Sequence, residues 1–244
     1  HQTHFLQHHP FGYIGHVGTK PRTARRPYMV LLRTSFQDRM PHPGEAADIV
    51  LLDTQDDYAV RKVEESRGWN PQQGTMLYWN PDAPETQFFF NDRDPETHKV
   101  FCVLYDIEQG KRVREYRFDD VSLGNSGVAQ QGGKFLALNY GRLARLRAVT
   151  GYPGAFDWTE GVAHPKDDGV FRVDVETGEK ELLVSFATLA ECLRPKHRYV
   201  GDTALFINHT LWSRDDELIL CYARGNWGRP GPKINQPLTM RQAG

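Results

Sequence analysis

Val50-Leu51-Leu52-Asp53-Thr54-Gln55-Asp56-Asp57, Val103-Leu104-Tyr105-Asp106-Ile107-Glu108-Gln109-Gly110 and Phe171-Arg172-Val173-Asp174-Val175-Glu176-Thr177-Gly178 are one phrase written three times. Each copy is a β-prone run that closes on an Asp and enters a short polar turn. A second β-prone run leaves each turn: Ala59-Val60-Arg61-Lys62-Val63, Val113-Arg114-Glu115-Tyr116 and Glu181-Leu182-Leu183-Val184. A hairpin that recurs every roughly fifty to seventy residues predicts a repeat architecture.

Working outward, another pair of β runs lies upstream of the later hairpins. Met76-Leu77-Tyr78-Trp79 is joined through Asn80-Pro81-Asp82 to Gln87-Phe88-Phe89-Phe90, and Gly127-Val128-Ala129 through Gln131-Gly132-Gly133 to Phe135-Leu136-Ala137-Leu138. His209-Thr210-Leu211-Trp212 and Leu218-Ile219-Leu220-Cys221 make a fourth pair, and Tyr28-Met29-Val30-Leu31-Leu32 precedes the first hairpin. Helical periodicity is scarce outside Phe186 to Leu193. Units of four short antiparallel strands, A to D from the centre outward, predict an all-β propeller. The expected blades run roughly to residue 66, from 67 to 120, from 121 to 185, and from about 200 to 244. A β-sandwich is the alternative, and the repeated A-B-C-D order weighs against it.

The totals agree with a globular β-rich domain: 244 residues, 11% aromatic, 22 Gly and 15 Pro. A net charge of -1 argues against general binding to nucleic acid or an anionic membrane, while leaving room for a local basic site. No apolar run approaches membrane-spanning length. Cys102, Cys192 and Cys221 are odd in number and lack metal-like spacing, so buried thiols are expected for the two in apolar runs. The chain opens on His1-Gln2-Thr3-His4 and stops at Arg241-Gln242-Ala243-Gly244, where a fresh strand and turn have begun. The expectation is a piece of a larger ring, with blade faces and strand edges left uncovered.

In a propeller the D-to-A and B-to-C connections open on one face. Residues leaving strand B are Arg33, then Asn91-Asp92-Arg93, then Asn139-Tyr140-Gly141-Arg142, then Arg224. Those leading into strand A are Gln72-Gln73, Asn125-Ser126 and Asn208-His209, with His16 in a looser equivalent. Arginine at the same edge of every blade suits an anionic ligand, because guanidinium stays charged and binds carboxylate or phosphate through two parallel donors. The alternative role is structural, with the arginines bonded to carbonyls of neighbouring blades or to Asp92. An insertion from Leu143 to Asp168 adds Arg145, Arg147, Tyr152, Phe156, Trp158 and His164 to the same face. It reads either as part of a site or as a packed cover over the blade edge.

The stretch from Asp168 to Glu179 resembles the C–D hairpin of TolB-like propellers. Asn208-His209-Thr210-Leu211-Trp212-Ser213-Arg214-Asp215-Asp216 is similar to a segment of the oligogalacturonate lyases, which are seven-bladed, and the resemblance implies a bacterial relative whose full ring has seven blades. Asn208 and Thr210 stand where that family usually has Gly and Pro. The resemblance implies that His209 is one ligand of a manganese-like divalent ion, with a Gln and two further histidines from blades beyond Gly244. It also implies an acidic oligosaccharide substrate cleaved by β-elimination. Arg142 and Arg145 would then neutralise the developing charge, and Arg33, Gln73, Arg93, Asn139, Arg147 and Arg224 would bind substrate. The competing expectations are a non-catalytic propeller that binds an anionic ligand, and a pure interaction scaffold.

Overall fold

The computed structural model describes residues 12–13, 26–36 and 38–241. The chain is an all-β propeller arc of four successive antiparallel sheets. The first contains β1 (Gly12–Tyr13), β2 (Tyr28–Arg33), β3 (Ala47–Asp53) and β4 (Val60–Ser66), in that spatial order. The second contains β5 (Tyr78–Trp79), β6 (Gln87–Arg93), β7 (Val100–Asp106) and β8 (Lys111–Tyr116). The third contains β9 (Gly124–Val128), β10 (Lys134–Leu138), β11 (Gly169–Asp174) and β12 (Lys180–Ser185). Among the described residues the fourth has three strands, β13 (Leu205–Trp212), β14 (Leu218–Gly225) and β15 (Ile234–Arg241). Among the described residues two α-helices interrupt the pattern: α1 (Tyr140–Leu146) opens the insertion, and α2 (Phe186–Leu193) links the third sheet to the fourth.

The repeated Asp has a physical task. Asp106 Oδ1 accepts the backbone N–H groups of Glu108 and Gln109 at 2.9 Å each, Asp174 Oδ1 accepts that of Thr177 at 2.6 Å, and Asp53 Oδ1 that of Gln55 at 2.9 Å. Each carboxylate thus closes its own turn, as short Asp side chains do. Four residues on, the backbone must enter the left-handed region, and Gly110 (φ 63°) and Gly178 (φ 80°) do so without a Cβ penalty. In the first hairpin Asp57 takes that conformation, at φ 43°.

Adjacent sheets pack as blades, β4 against β6, β6 and β7 against β9, and β9 against β13. This sandwiching explains the continuous Phe88-Phe89-Phe90 run, because a strand covered on both faces needs no polar side. Phe88 and Phe90 turn toward the first blade, where Trp69, Trp79 and Tyr105 share their cluster. Phe89 turns the other way, 5.9 Å from Phe135 and 6.5 Å from Tyr116. Burying each such ring is worth about 1.5–3 kcal/mol. Outer strands change pattern: β8 alternates exposed and covered positions, as an edge facing water must. The inner strand β9 is all small and all buried, and a Cβ on Gly127 would sit 2.9 Å from the Thr210 carbonyl oxygen of the next blade. Cys102 and Cys221 are buried free thiols, and burial pushes the Cys221 thiol up to about 12.

Candidate functional site

Residues leading into the inner strands do converge, and they converge on one another. Asn70 Oδ1 accepts the N–H groups of Gln72 and Gln73, and Asn70 Nδ2 donates to the Gly151 carbonyl at 3.0 Å. Gln73 Nε2 reaches across to Asn208 Oδ1 at 2.8 Å, tying the second blade to the fourth. Asn91 Nδ2 donates to the Asn125 carbonyl and to Tyr152 Oη, and Asn91 Oδ1 accepts the Asn125 N–H. Thr210 Oγ1 pairs with Ser126 Oγ at 2.6 Å. Gln73, Asn91, Asn125 and Asn208 are all buried. The positions that the propeller geometry selects are therefore the polar ties between blades.

The insertion holds a second polar knot, built on α1. Asn139 caps the helix, its Oδ1 accepting the Arg142 N–H at 2.9 Å. Its Nδ2 donates to Asp157 Oδ1 at 2.9 Å and to Asp168 Oδ2 at 3.0 Å. Arg142 is 1% exposed. Its Nε donates to the Leu205 carbonyl at 2.7 Å, Nη1 to Thr159 Oγ1 and the Val162 carbonyl, and Nη2 to the Ala163 carbonyl at 2.6 Å. The Phe186 ring lies 4.4 Å from the guanidinium carbon. Burial lowers the Arg142 pKa to about 10, against the pull of Asp168. The Asp168 carboxyl is pushed the other way, up to about 6, because burial outweighs its bonds to Asn139 and Gly169 and the nearby Arg142. Arg93 is used similarly, its Nε and Nη2 both donating to the Gly154 carbonyl at 3.1 and 2.8 Å.

The remaining arginines of the insertion meet a different environment. Three connections of the predicted face enclose a cleft of about 650 Å³. They are the B-to-C insertion of the third blade (Arg145, Leu146, residues 160–163), the D-to-A connection (residues 202–204) and the B-to-C loop of the fourth blade (residues 226–229). Arg145 lines it while its Nε donates to Asp157 Oδ2 at 2.8 Å. Trp227 lines it too, and gathers three cations: Arg147 at 4.4 Å, Arg224 at 5.0 Å and Lys233 at 5.4 Å from the ring centre. The indole itself is fixed, Nε1 donating to the Ile234 carbonyl at 2.8 Å. Arg224 donates from Nε to Asn235 Oδ1, and burial followed by repulsion from Arg147 lowers its pKa. Arg147 Nη1 is buried with no hydrogen-bond partner among the described residues. Such a cluster holds unspent charge and donor capacity, and an anion would use both.

Arg33 and His209 lie apart from this cleft. Arg33 is held in its own blade by Asp48, Nη2 to Oδ2 at 2.7 Å, and Asp48 also pairs with Lys62. His209 sits at the register break between Asn208 and Leu211, with φ at 59° and its ring edge-on to Tyr222 at 6.0 Å. The bulge turns this side chain out of the alternation of its strand. Among the described residues no three His, Cys, Asp or Glu side chains come together as a metal site needs, so they do not by themselves fit the manganese-like ion. His4, His8, His9 and His16 lie outside the described residues.

Trp227, Lys233 and Arg229 escaped the sequence reading, as did the Asp157–Asp168 pairing through Asn139. The signal for the first group was present: Gly225-Asn226-Trp227-Gly228-Arg229-Pro230-Gly231-Pro232-Lys233 is a Gly- and Pro-rich B-to-C loop on the predicted face.

No protein-family model matches this chain, and no curated protein matches it. Solved structures with a similar fold include Kuenenia stuttgartiensis hydrazine synthase, at 10% identity and a TM-score of 0.49, over 89% of this chain and 48% of that one. The β-propeller domain of Myceliophteria thermophila Cps50 (Swd1) gives 12% identity and a TM-score of 0.45, over 96% and 58%. The Dos1 propeller gives 9% and 0.43, over 89% and 46%. The chain spans about half the length of these structures, and at such identities none of their chemistry transfers to it. The fold and the cleft define a β-propeller module with a tryptophan-lined recess of mixed charge on the face where its B-to-C loops gather, with a cluster of cations around that tryptophan.

Proposed function

We propose that this protein is a propeller-type recognition module for a carboxylate-bearing ligand, held in the cleft beside Trp227. The observation that carries the reading is the cluster of Arg147, Arg224 and Lys233 around one indole, with a buried guanidinium N–H left unpartnered. An anion there would gain charge-assisted bonds and relieve the Arg147–Arg224 repulsion. Arg145 lines the same cleft, already paired with Asp157. In this reading Arg33, Gln73, Arg93, Asn139 and Arg142 support the scaffold.

The resemblance to oligogalacturonate lyases makes an acidic oligosaccharide the first ligand to test. β-Elimination would require a base within reach of the cleft and cations free to take up charge, and Arg142 is committed to four oxygen acceptors. Binding without turnover is the activity this geometry favours. Calorimetric titration with oligogalacturonate should give binding that weakens as salt rises and falls about tenfold in Arg147→Ala, about 1.4 kcal/mol. Absence of binding at low salt would sink the reading, and appearance of unsaturated uronate absorbance with manganese would restore the lyase.

A further inference from the structure

We infer that Asp168, Thr159 and Asp157 form a proton-dependent latch on the third-blade insertion. With a proton on Asp168 the latch holds residues 157–163 against the blade, and loss of that proton loosens them. The latch is a device of the fold, and it stands whether or not the neighbouring cleft takes a carboxylate.

The segment is a cover with a polar fastening. Thr159 and Asp168 are buried, at 2% and 0% exposed, while Glu160, Gly161 and Val162 face water. Asn139 Nδ2 and Arg145 Nε hold the Asp157 carboxylate, and Arg142 holds Thr159 Oγ1 and the carbonyls of Val162 and Ala163. Asp168 lies behind this fastening, its Oδ2 3.3 Å from Thr159 Oγ1. Arg145 pairs with Asp157, and among the described residues no ion pair reaches Asp168.

Counting hydrogens shows what a proton does there. The Thr159 hydroxyl has one hydrogen and two carboxylate claimants, Asp157 Oδ1 at 2.7 Å and Asp168 Oδ2 at 3.3 Å. The shorter bond takes it, which leaves two oxygens facing each other across the longer gap. A proton on Asp168 Oδ2 fills that gap. Asp168 then donates to Thr159 and Thr159 to Asp157, while Arg142 Nη1 donates to the second lone pair of Thr159 Oγ1 at 2.9 Å. Every donor in the chain is spent, and the cover is tied to a buried side chain of the blade.

The charged groups that act on Asp168 are Arg142 of α1, which favours its ionised form, and Asp157 of the cover, which opposes it. Next to it in sequence, Lys166 and Asp167 are exposed. From β11 the Gly169 N–H donates to Oδ1 at 2.7 Å, and from α2 the Phe186 N–H donates to the main-chain carbonyl of Asp168 at 2.8 Å. Burial outweighs these contacts and raises the carboxyl to about 6, whereas an opened cover returns it to its ordinary 3.8. The proton's contribution to closure is therefore complete below about pH 4 and lost as pH rises through 6. Residues 160–163 line the cleft, so the latch sets how firmly that part of its lining is held.

Amide hydrogen exchange of the full chain tests this at pH 5 and pH 7.5, with labelling times matched to the intrinsic rates. The reporters are the Thr159 and Val162 amides, which bond Asp157 Oδ1 and the Thr159 carbonyl, and the internal reference is β6 and β7. Wild type should lose about tenfold protection at the reporters over that range, the ratio that a shift from 3.8 to about 6 sets. Protection in β6 and β7 should not change. Asp168→Asn should show equal protection at both pH values, whatever its level. Thr159→Val removes the oxygen that receives the proton, so it should move the midpoint of the change to lower pH. His164→Gln is the control, because imidazole as a class changes charge in this range, and it should keep the wild-type ratio. A flat wild type, a change shared by β6 and β7, or a tenfold change surviving in Asp168→Asn would overturn the latch. An absent or upward midpoint shift in Thr159→Val would overturn it too, and loss of the dependence in His164→Gln would give the switch to that imidazole instead.

Discussion

Arg142 and Arg147 are five residues apart, stand in the first turn and at the C-cap of one short helix and carry the same charge, yet the fold uses them in opposite ways. Arg142 points into the protein and spends its donors on Leu205, Thr159, Val162 and Ala163. Arg147 points toward Trp227, shares it with two other cations and keeps an unpartnered donor. A guanidinium that answers several main-chain carbonyls fixes a loop, because each carbonyl would otherwise be buried unsatisfied. One that faces like charge instead is destabilised until an anion arrives. Residue type and blade position therefore do not assign the role; the inventory of acceptors does.

The strongest way to break this comparison is Arg142→Ala. It strands the carbonyls of Leu205, Val162 and Ala163 and removes the cation beside Asp168. The expected loss is about 3–5 kcal/mol, read from the urea midpoint. A variant that melted like the wild type but no longer bound ligand would put Arg142 back among the ligand-facing residues.

Asp168 probes the same knot through pH. Burial raises its folded pKa to about 6 from an ordinary 3.8, so the folded state holds its proton more tightly than the unfolded chain does. The stability this contributes is complete below about pH 4 and lost as pH rises through 6, about 3 kcal/mol at most. Asp157, Asp94 and Glu45 are shifted the other way and give the opposite slope. The clean measurement is the difference between wild type and Asp168→Asn at each pH. It should move in the variant's favour between pH 4 and 7, and a flat difference would show that Asp168 titrates normally.

Arg147→Ala is expected to leave the melting midpoint almost unchanged, within about 1 kcal/mol, while weakening carboxylate ligands about tenfold. It should also raise the Arg224 pKa, since a like charge is gone. A large stability loss would make Arg147 a second Arg142.

How much of this could be read in advance follows the range of the interactions. The Asp-closed hairpins are local: Asp53, Asp106 and Asp174 bond residues two or three positions away, and their spacing exposed the blades at once. The alternation of Phe88, Phe89 and Phe90 between two interfaces is equally local once strands are known to be sandwiched. The face on which the cleft opens also follows from strand order. The fate of each polar side chain on that face does not, because its partners are distant in sequence. Gln73 meets Asn208 across 135 positions and Arg142 meets Leu205 across 63. Arginine at the end of strand B signalled an interesting edge equally well for a tie and for a site.

Arg33 is the smallest and sharpest control. It ends strand B of the first blade as Arg93 and Arg224 end theirs, but its partner is a half-covered carboxylate rather than a buried carbonyl or an indole. Burial would raise the Asp48 pKa, but Lys62 and Arg33 together hold it below the usual carboxylate range. Removing Arg33 leaves Asp48 its Lys62 contact at 2.7 Å. Such partly exposed pairs contribute about 0–1 kcal/mol. Arg33→Ala should therefore shift the urea midpoint by less than any of the other variants and leave ligand affinity unaltered. If affinity fell with it, the ligand would have to extend from the Trp227 cleft to the first blade, and the arginine edges would act as one continuous surface.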